Sequence, residues 1–299
     1  MNDQAAKLRE LIEHKKILNK EIIDTPLIRN SNRFGAHTIA VTSGKGGVGK
    51  TNFTVNLAIA LAKLGKKVLV IDADLGLANV EVILGCSSKY TMMNLLSDDI
   101  SLSEIILDGP EGIKYISGGS GFEQLSDLSP AQREYLLNKL YDCENIADII
   151  LIDTGAGIGR NVLDFLIASD EIFLLTTPEP TSLTDAYAVI KAYKAHAAAT
   201  SVKLIVNKVY DENEGYEVSS KLIATARKFL DINLIRLGLI YDDRNMVNAI
   251  KKQIPLLLSY PDTAAARCIT KIAESILNGG SVKVKRGWRY FLQRLIFSR

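Results

Sequence analysis

No stretch of this 299-residue chain approaches the roughly 18 consecutive apolar residues that a membrane-spanning helix requires. Cysteine is scarce. Cys86, Cys143 and Cys268 are odd in number and form no C-x-x-C pair, which argues against a disulfide framework or a zinc site and for a reducing cytoplasm. The three histidines, His14, His37 and His196, share no ligand spacing. The opening residues, MNDQAAKLRELIEHKK, lack the apolar core of a secretory signal. Repeats and low-complexity tracts are missing too. Net charge is only +2, and the six basic residues between Ser281 and Arg299, with no acid among them, more than account for it. The rest of the chain is therefore mildly acidic, and no nucleic-acid partner is expected.

What the chain does have is enough apolar residue, 47% against 23% charged, to bury a large core. Its organisation reads as four regions. Residues 1–20 carry apolar side chains at Ala5, Leu8, Leu11, Ile12 and Leu18, the spacing of a helix with one apolar face. Residues 21–36 hold Pro26, Asn30, Ser31, Asn32 and Gly35 and read as a linker. Residues 37–279 alternate short apolar runs with helical stretches. The runs TIAVTS, KKVLVID, IKYISG, DIILIDT, EIFLLTT, VKLIVNK and IRLGLIY are rich in Ile, Val and Leu without clean alternation, as strands covered on both faces should be. These predict an α/β fold, a doubly wound and mostly parallel sheet with ligands at the carboxyl ends of its strands. Residues 280–299 form the basic tail.

The stretch GKGGVGKT, Gly44 to Thr51, fits G-x-x-x-x-G-K-[ST] and lies between a strand and a helix. Glycines let successive backbone N–H groups turn inward onto a phosphate at the positive end of the following helix. Lys50 then neutralises the β- and γ-phosphate oxygens of ATP, and the Thr51 hydroxyl takes Mg²⁺. Two strands end in acids, VLVIDAD at Asp72 and Asp74 and DIILID at Asp153. Such carboxylates either order the water around Mg²⁺ and the γ-phosphate or cap the next helix. The glycines of DTGAGIG allow that loop to approach the γ-phosphate and to swing when it leaves.

The second lysine of KGGVGKT, Lys45, resembles the signature lysine of the MinD/ParA family of deviant Walker A ATPases. VIDADLGLANVEVILG is similar to that family's switch I, DTGAG to its switch II and TTPEPTSLTDAYAVIK to a later strand–helix segment. The resemblance implies ATP and Mg²⁺ as cofactors, held by Gly44, Lys45, Gly46, Gly47, Val48, Gly49, Lys50, Thr51 and Asn52. It implies an ATP-dependent homodimer in which Lys45 reaches the partner's phosphates. By the same likeness Asp74 orients the attacking water, and Thr51, Asp72 and Asp153 serve the metal. Asn207 of VNKV stands for the adenine-edge contact. Tyr241 and Asp242 lie in the base-flanking loop, where Tyr241 replaces the family's usual proline. Neither switch shows an arginine finger, so slow hydrolysis is expected.

In the tail, Trp288, Phe291, Leu292, Leu295 and Ile296 recur at helical spacing on one face. Such a helix either lies on a lipid surface or docks on its own domain. The lack of acids and the Trp, Phe and Arg content favour an anionic membrane. Burying five apolar side chains at about 1.5–3 kcal/mol each is nearly offset by ordering about ten residues at about 1–2 kcal/mol each. One helix is then marginal, whereas two on a dimer bind through effective concentration. The expected location is cytoplasmic, peripheral to the membrane when ATP is bound. At the other end, DQAAKLR resembles the element that opens the FlhG (YlxH) branch of the family. That likeness implies stimulation of the SRP-type GTPase FlhF through Asp3, Gln4, Leu8 and Arg9, with flagellar C-ring proteins as further partners. A MinD-type ATPase that selects the division site is the alternative.

Overall fold

The computed structural model describes residues 35–74, 79–117, 124, 127–196, 201–278 and 286–297. The expected activator helix, with Asp3, Gln4, Leu8 and Arg9, and nearly all of the linker lie outside the described residues.

All seven expected strands form. They are β1 (His37–Ser43), β2 (Val68–Ala73), β4 (Lys114–Ser117), β5 (Ile149–Ala156), β6 (Glu171–Thr176), β7 (Ser201–Val209) and β8 (Leu234–Tyr241). An eighth, β3 (Ile106–Asp108), was not foreseen because three residues carry no legible period. The sheet runs β3-β4-β2-β5-β1-β6-β7-β8, parallel throughout except where β3 turns back on β4. Every residue of β1 and β2 is buried, which is why both read as unbroken apolar runs.

The longer helices are α1 (Lys50–Lys63), α2 (Asn79–Leu84), α3 (Pro130–Tyr141), α4 (Arg160–Ala168), α5 (Pro180–Ala195), α6 (Glu212–Leu230), α7 (Arg244–Lys252), α8 (Ala264–Asn278) and α9 (Gly287–Phe297). Side chains of alternate strand residues divide between the two faces. Ile39, Val41, Val68 and Val70 pack with α1 and α8 on one side. Leu69 and Ile71 pack with α3 and α9, and Ala40 with α4 to α6, on the other.

The tail corrects an expectation. Helix α9 does not stand apart from the domain but docks against α3, α4 and β1. Trp288, Phe291, Leu292, Leu295 and Ile296, the residues assigned to lipid, are each no more than 2% exposed. The indole N–H of Trp288 donates to the Leu140 carbonyl at 2.7 Å, and Phe291 stacks between Trp288 and Phe165. The amino end of α9 is capped from outside its own sequence. One carboxylate oxygen of the buried Asp170 accepts the N–H groups of Arg286 (2.8 Å) and Gly287 (3.2 Å), while the other accepts the N–H and hydroxyl of Thr38. Arg289 pairs with Glu144 at 2.6 Å. A 3.6-residue period reports one apolar face and is silent on what covers it. In this conformation the domain covers it, and lipid can reach it only after undocking.

Candidate functional site: a nucleotide cradle

The carboxyl ends of β1, β2, β5, β7 and β8 converge on the loop Gly44–Gly49. Gly47 and Gly49 have φ of 79° and 93°, a left-handed backbone that residues with a Cβ adopt at a cost. Gly44 is demanded by proximity instead. A Cβ there would lie 2.2 Å from the backbone of Asp185, so α5 rests directly on the start of the loop. Helix α1 opens at Lys50 with no acid in its first turn, leaving its positive end for an anion.

Inside the cradle, the Lys50 ammonium donates to Asp153 Oδ1 at 3.0 Å, and the Thr54 hydroxyl donates to the same oxygen at 3.0 Å. Asp153 is fully buried, and its Oδ2 has no hydrogen-bond partner. Asp72 faces it across the β2–β5 register. Its two oxygens accept the N–H groups of Asp74 and Val80, each at 3.1 Å, so it does cap the start of α2. Burial first, and then the charge of Asp153, push the Asp72 carboxyl up to about 7 against those stabilising bonds. An orphaned carboxylate oxygen beside a second carboxyl that burial disfavours is a donor set that fits a hard divalent cation. Thr51 sits half-buried in the first turn of α1 alongside.

Asp74 accepts the Asn79 side-chain amide at 3.1 Å, and its other oxygen lies against Gly155, where a Cβ would be 3.6 Å away. The loop after β5 closes on the cradle through Gly157 N–H to the Ser43 carbonyl at 2.8 Å. These contacts bring the expected switch carboxylates to one end of the sheet with the phosphate loop. Asn52 lies half-buried on α1, one residue beyond Thr51.

Lys45 is held within its own chain. Its ammonium sits 2.7 Å from Glu179 Oε2 and 3.0 Å from the Thr181 hydroxyl, at the amino end of α5. That hydrogen bond lowers the Glu179 carboxyl below the usual range. Asn207, expected at the adenine edge, directs an amide N–H at the Val48 carbonyl of the loop, 2.7 Å away. Tyr241 pairs in register with Val209, and the N–H of Asp242 donates to the Val209 carbonyl, which puts both beside Asn207. Sequence reading missed Lys208, whose φ is 58° and whose ammonium donates to the Gly47 carbonyl at 3.0 Å. It also missed Glu179 and Thr181. Glu179 and Thr181 lie in the TTPEPTSLTDAYAVIK segment and Lys208 in VNKV, but each acts through a contact more than a hundred residues away that no spacing reports.

The raised Asp72 carboxyl predicts a stability profile. In the unfolded chain the group titrates near 3.8, and in the fold near 7. Between those values the folded protein binds the proton more tightly, so stability present at the acid end is lost as pH rises through about 7. Calorimetry of metal-free protein should show melting temperature falling from about pH 5 to about 7.5. Asp72→Asn should flatten that slope and melt higher at neutral pH, yet bind Mg·nucleotide more weakly.

A glycine-lined anion cradle at a helix amino end, two buried carboxyls for a cation and a glycine loop closed against them define a P-loop nucleotide-binding protein. The family model described as an AAA domain matches residues 36–206. Antiactivator FleN of Pseudomonas aeruginosa is 38% identical over 86% of this chain and 92% of its own. The flagellum site-determining protein YlxH of Helicobacter pylori is 36% identical over 99% of both chains. Among solved structures, MinD with Mg-ADP from Pyrococcus horikoshii superposes with a TM-score of 0.66 at 26% identity, covering 84% of this chain and 99% of that one. A chain of the MinC:MinD cell division protein complex of Aquifex aeolicus gives 0.64 at 27%, over 84% and 99%. The chain belongs to the FleN/FlhG (YlxH) family of MinD/ParA-type P-loop ATPases.

Proposed function

We propose that this protein is a slow, Mg²⁺-dependent ATPase switch that pairs with a second copy on ATP and sets flagellar number or placement. The names of the two flagellar relatives support the cellular role. The observation that carries the switch is Lys45, a lysine at the mouth of its own cradle, held among the described residues only by the exposed Glu179 and Thr181. A γ-phosphate presented by a partner offers it a stronger anion than one exposed carboxylate.

The geometry of the cradle supports the following roles. Backbone N–H groups of the loop and the end of α1 take the β-phosphate. Lys50 turns from Asp153 to the phosphate oxygens. Thr51, Asp72 and Asp153 would hold Mg²⁺, whose charge offsets that developing on the transferred phosphoryl group. Asp74, beside the glycine loop after β5, positions the attacking water. With no arginine finger in either switch, turnover stays slow until a partner stimulates it. FlhF is the partner proposed for Asp3, Gln4, Leu8 and Arg9, and C-ring proteins are proposed for the ATP dimer. Attachment to anionic membrane is proposed through α9, now with the added requirement that α9 first leave its groove. MinD-type relatives named for the division septum match at 31–33% identity, below the flagellar pair.

Two substitutions test the switch. Asp74→Ala should bind ATP and accumulate as a dimer while phosphate release falls on the order of a hundredfold. Lys50→Ala should remain monomeric with either nucleotide. Light scattering alongside a phosphate-release assay reads both, and a Lys50→Ala protein that still pairs on ATP would sink the proposal.

A further inference from the structure

Asn207 and Lys208 hold two consecutive carbonyls of the phosphate loop, those of Val48 and Gly47. In a trans peptide the C=O and the following N–H point in opposite directions. Drawing the Gly47 and Val48 carbonyls toward β7 therefore aims the N–H groups of Val48 and Gly49 the other way, into the cradle. We infer that Asn207 and Lys208 are positioning residues, a clamp that presets the phosphate-binding amides before nucleotide arrives. The inference rests on the nucleotide-site reading above and deepens it.

Three further observations support the clamp. Lys208 keeps a left-handed backbone, φ 58°, where the β7–β8 register slips between Asn207 and Val209. A non-glycine residue in that conformation is strained, and strain of this kind gathers at functional positions. The slip turns the Lys208 side chain off the strand and over the loop. Gly49 fits because of the clamp, since a Cβ there would lie 2.5 Å from the Asn207 amide nitrogen. On the opposite flank the backbone at Asp185 blocks Gly44, so the loop is wedged between α5 and the end of β7. With one of its two amide N–H groups given to the loop, Asn207 keeps the other N–H and its carbonyl oxygen for a base. Preset dipoles of this kind need no reorganisation when the anion binds.

The clamp predicts a loss that ignores the base. Displacement of a fluorescent ADP analogue by ATP, GTP and inorganic tripolyphosphate, each with Mg²⁺, measures this. Lys208→Ala should weaken all three competitors by a common factor of roughly five to ten, the scale of one lost charge-assisted hydrogen bond. Asn207→Ala should do the same or more. Lys208→Arg, which can still donate to the Gly47 carbonyl, should recover most of the loss. Lys208→Gly, which relieves the backbone but lacks the ammonium, should match alanine. Lys208 is exposed, so Lys208→Ala and Lys208→Arg should melt like the parent and Lys208→Gly no lower. ATP binding that falls while tripolyphosphate binding holds would overturn the clamp in favour of a base contact. Unchanged binding in Lys208→Ala, or parental binding in Lys208→Gly, would overturn it too. An unsubstituted protein that binds neither ATP nor tripolyphosphate would strike the nucleotide-site reading itself, an outcome visible before any variant is made.

Discussion

Lys45→Ala should abolish ATP-dependent pairing while leaving ADP affinity within about twofold of the parent. The physical reason is the location of the ammonium. In the single chain it touches Glu179 and Thr181, not Asp72, Asp74 or Asp153. Removing it takes nothing from the cradle that holds the β-phosphate. What is removed is a cation that a partner's nucleotide would meet, and hydrolysis should fall with pairing by a factor on the order of 10³ if Lys45 acts as a trans charge. Glu179→Gln supplies the opposite arm. It frees Lys45 from its intramolecular partner and should favour pairing at lower ATP. Sedimentation with ADP and then ATP reads both variants, and a Lys45→Ala protein that still dimerises on ATP would remove the basis for the switch.

Truncation before Gly287 should destabilise the domain by more than about 5 kcal/mol, on the scale of a small domain's whole stability. Five side chains leave the core with it, and Phe165, Leu136 and Leu140 lose their cover. Trp288→Ala alone should cost about 3–5 kcal/mol, since it empties a large buried site and removes the indole hydrogen bond to the Leu140 carbonyl. Denaturant titration measures both. A tail that served only as a lipid anchor would leave the midpoint unchanged on truncation, and that result would restore the reading drawn from the sequence. The same argument bears on design. Experiments meant to remove membrane binding by cutting the tail would instead be studying a damaged fold.

Much of the architecture was legible because its determinants are local. β1 and β5 read as strands since both of their faces are buried, and GKGGVGKT announced itself since its glycines answer to backbone geometry at the loop itself. Asp72 and Asp74 were legible at the end of their strand, whereas β5 runs three residues past Asp153 to Ala156. The misses share a cause. The fate of α9 depends on a groove assembled from α3, α4 and β1, and the cap that holds its first turn comes from Asp170, at the far end of α4. Lys45 meets Glu179, and Lys208 meets Gly47, across more than 130 residues. No window along the chain contains both partners of any of these. Asn207 was expected at the adenine edge, and its bond to the Val48 carbonyl is a further contact that the likeness did not name.

One further consequence lies in the single indole of the chain. Trp288 is the only tryptophan, sealed in the groove with its N–H bound to a backbone carbonyl. Its emission is therefore an unlabelled gauge of whether the tail is in or out, read from the native protein in real time. A shift to the red on adding ATP would register departure into water, and a rise in anisotropy with vesicles present would register arrival on lipid.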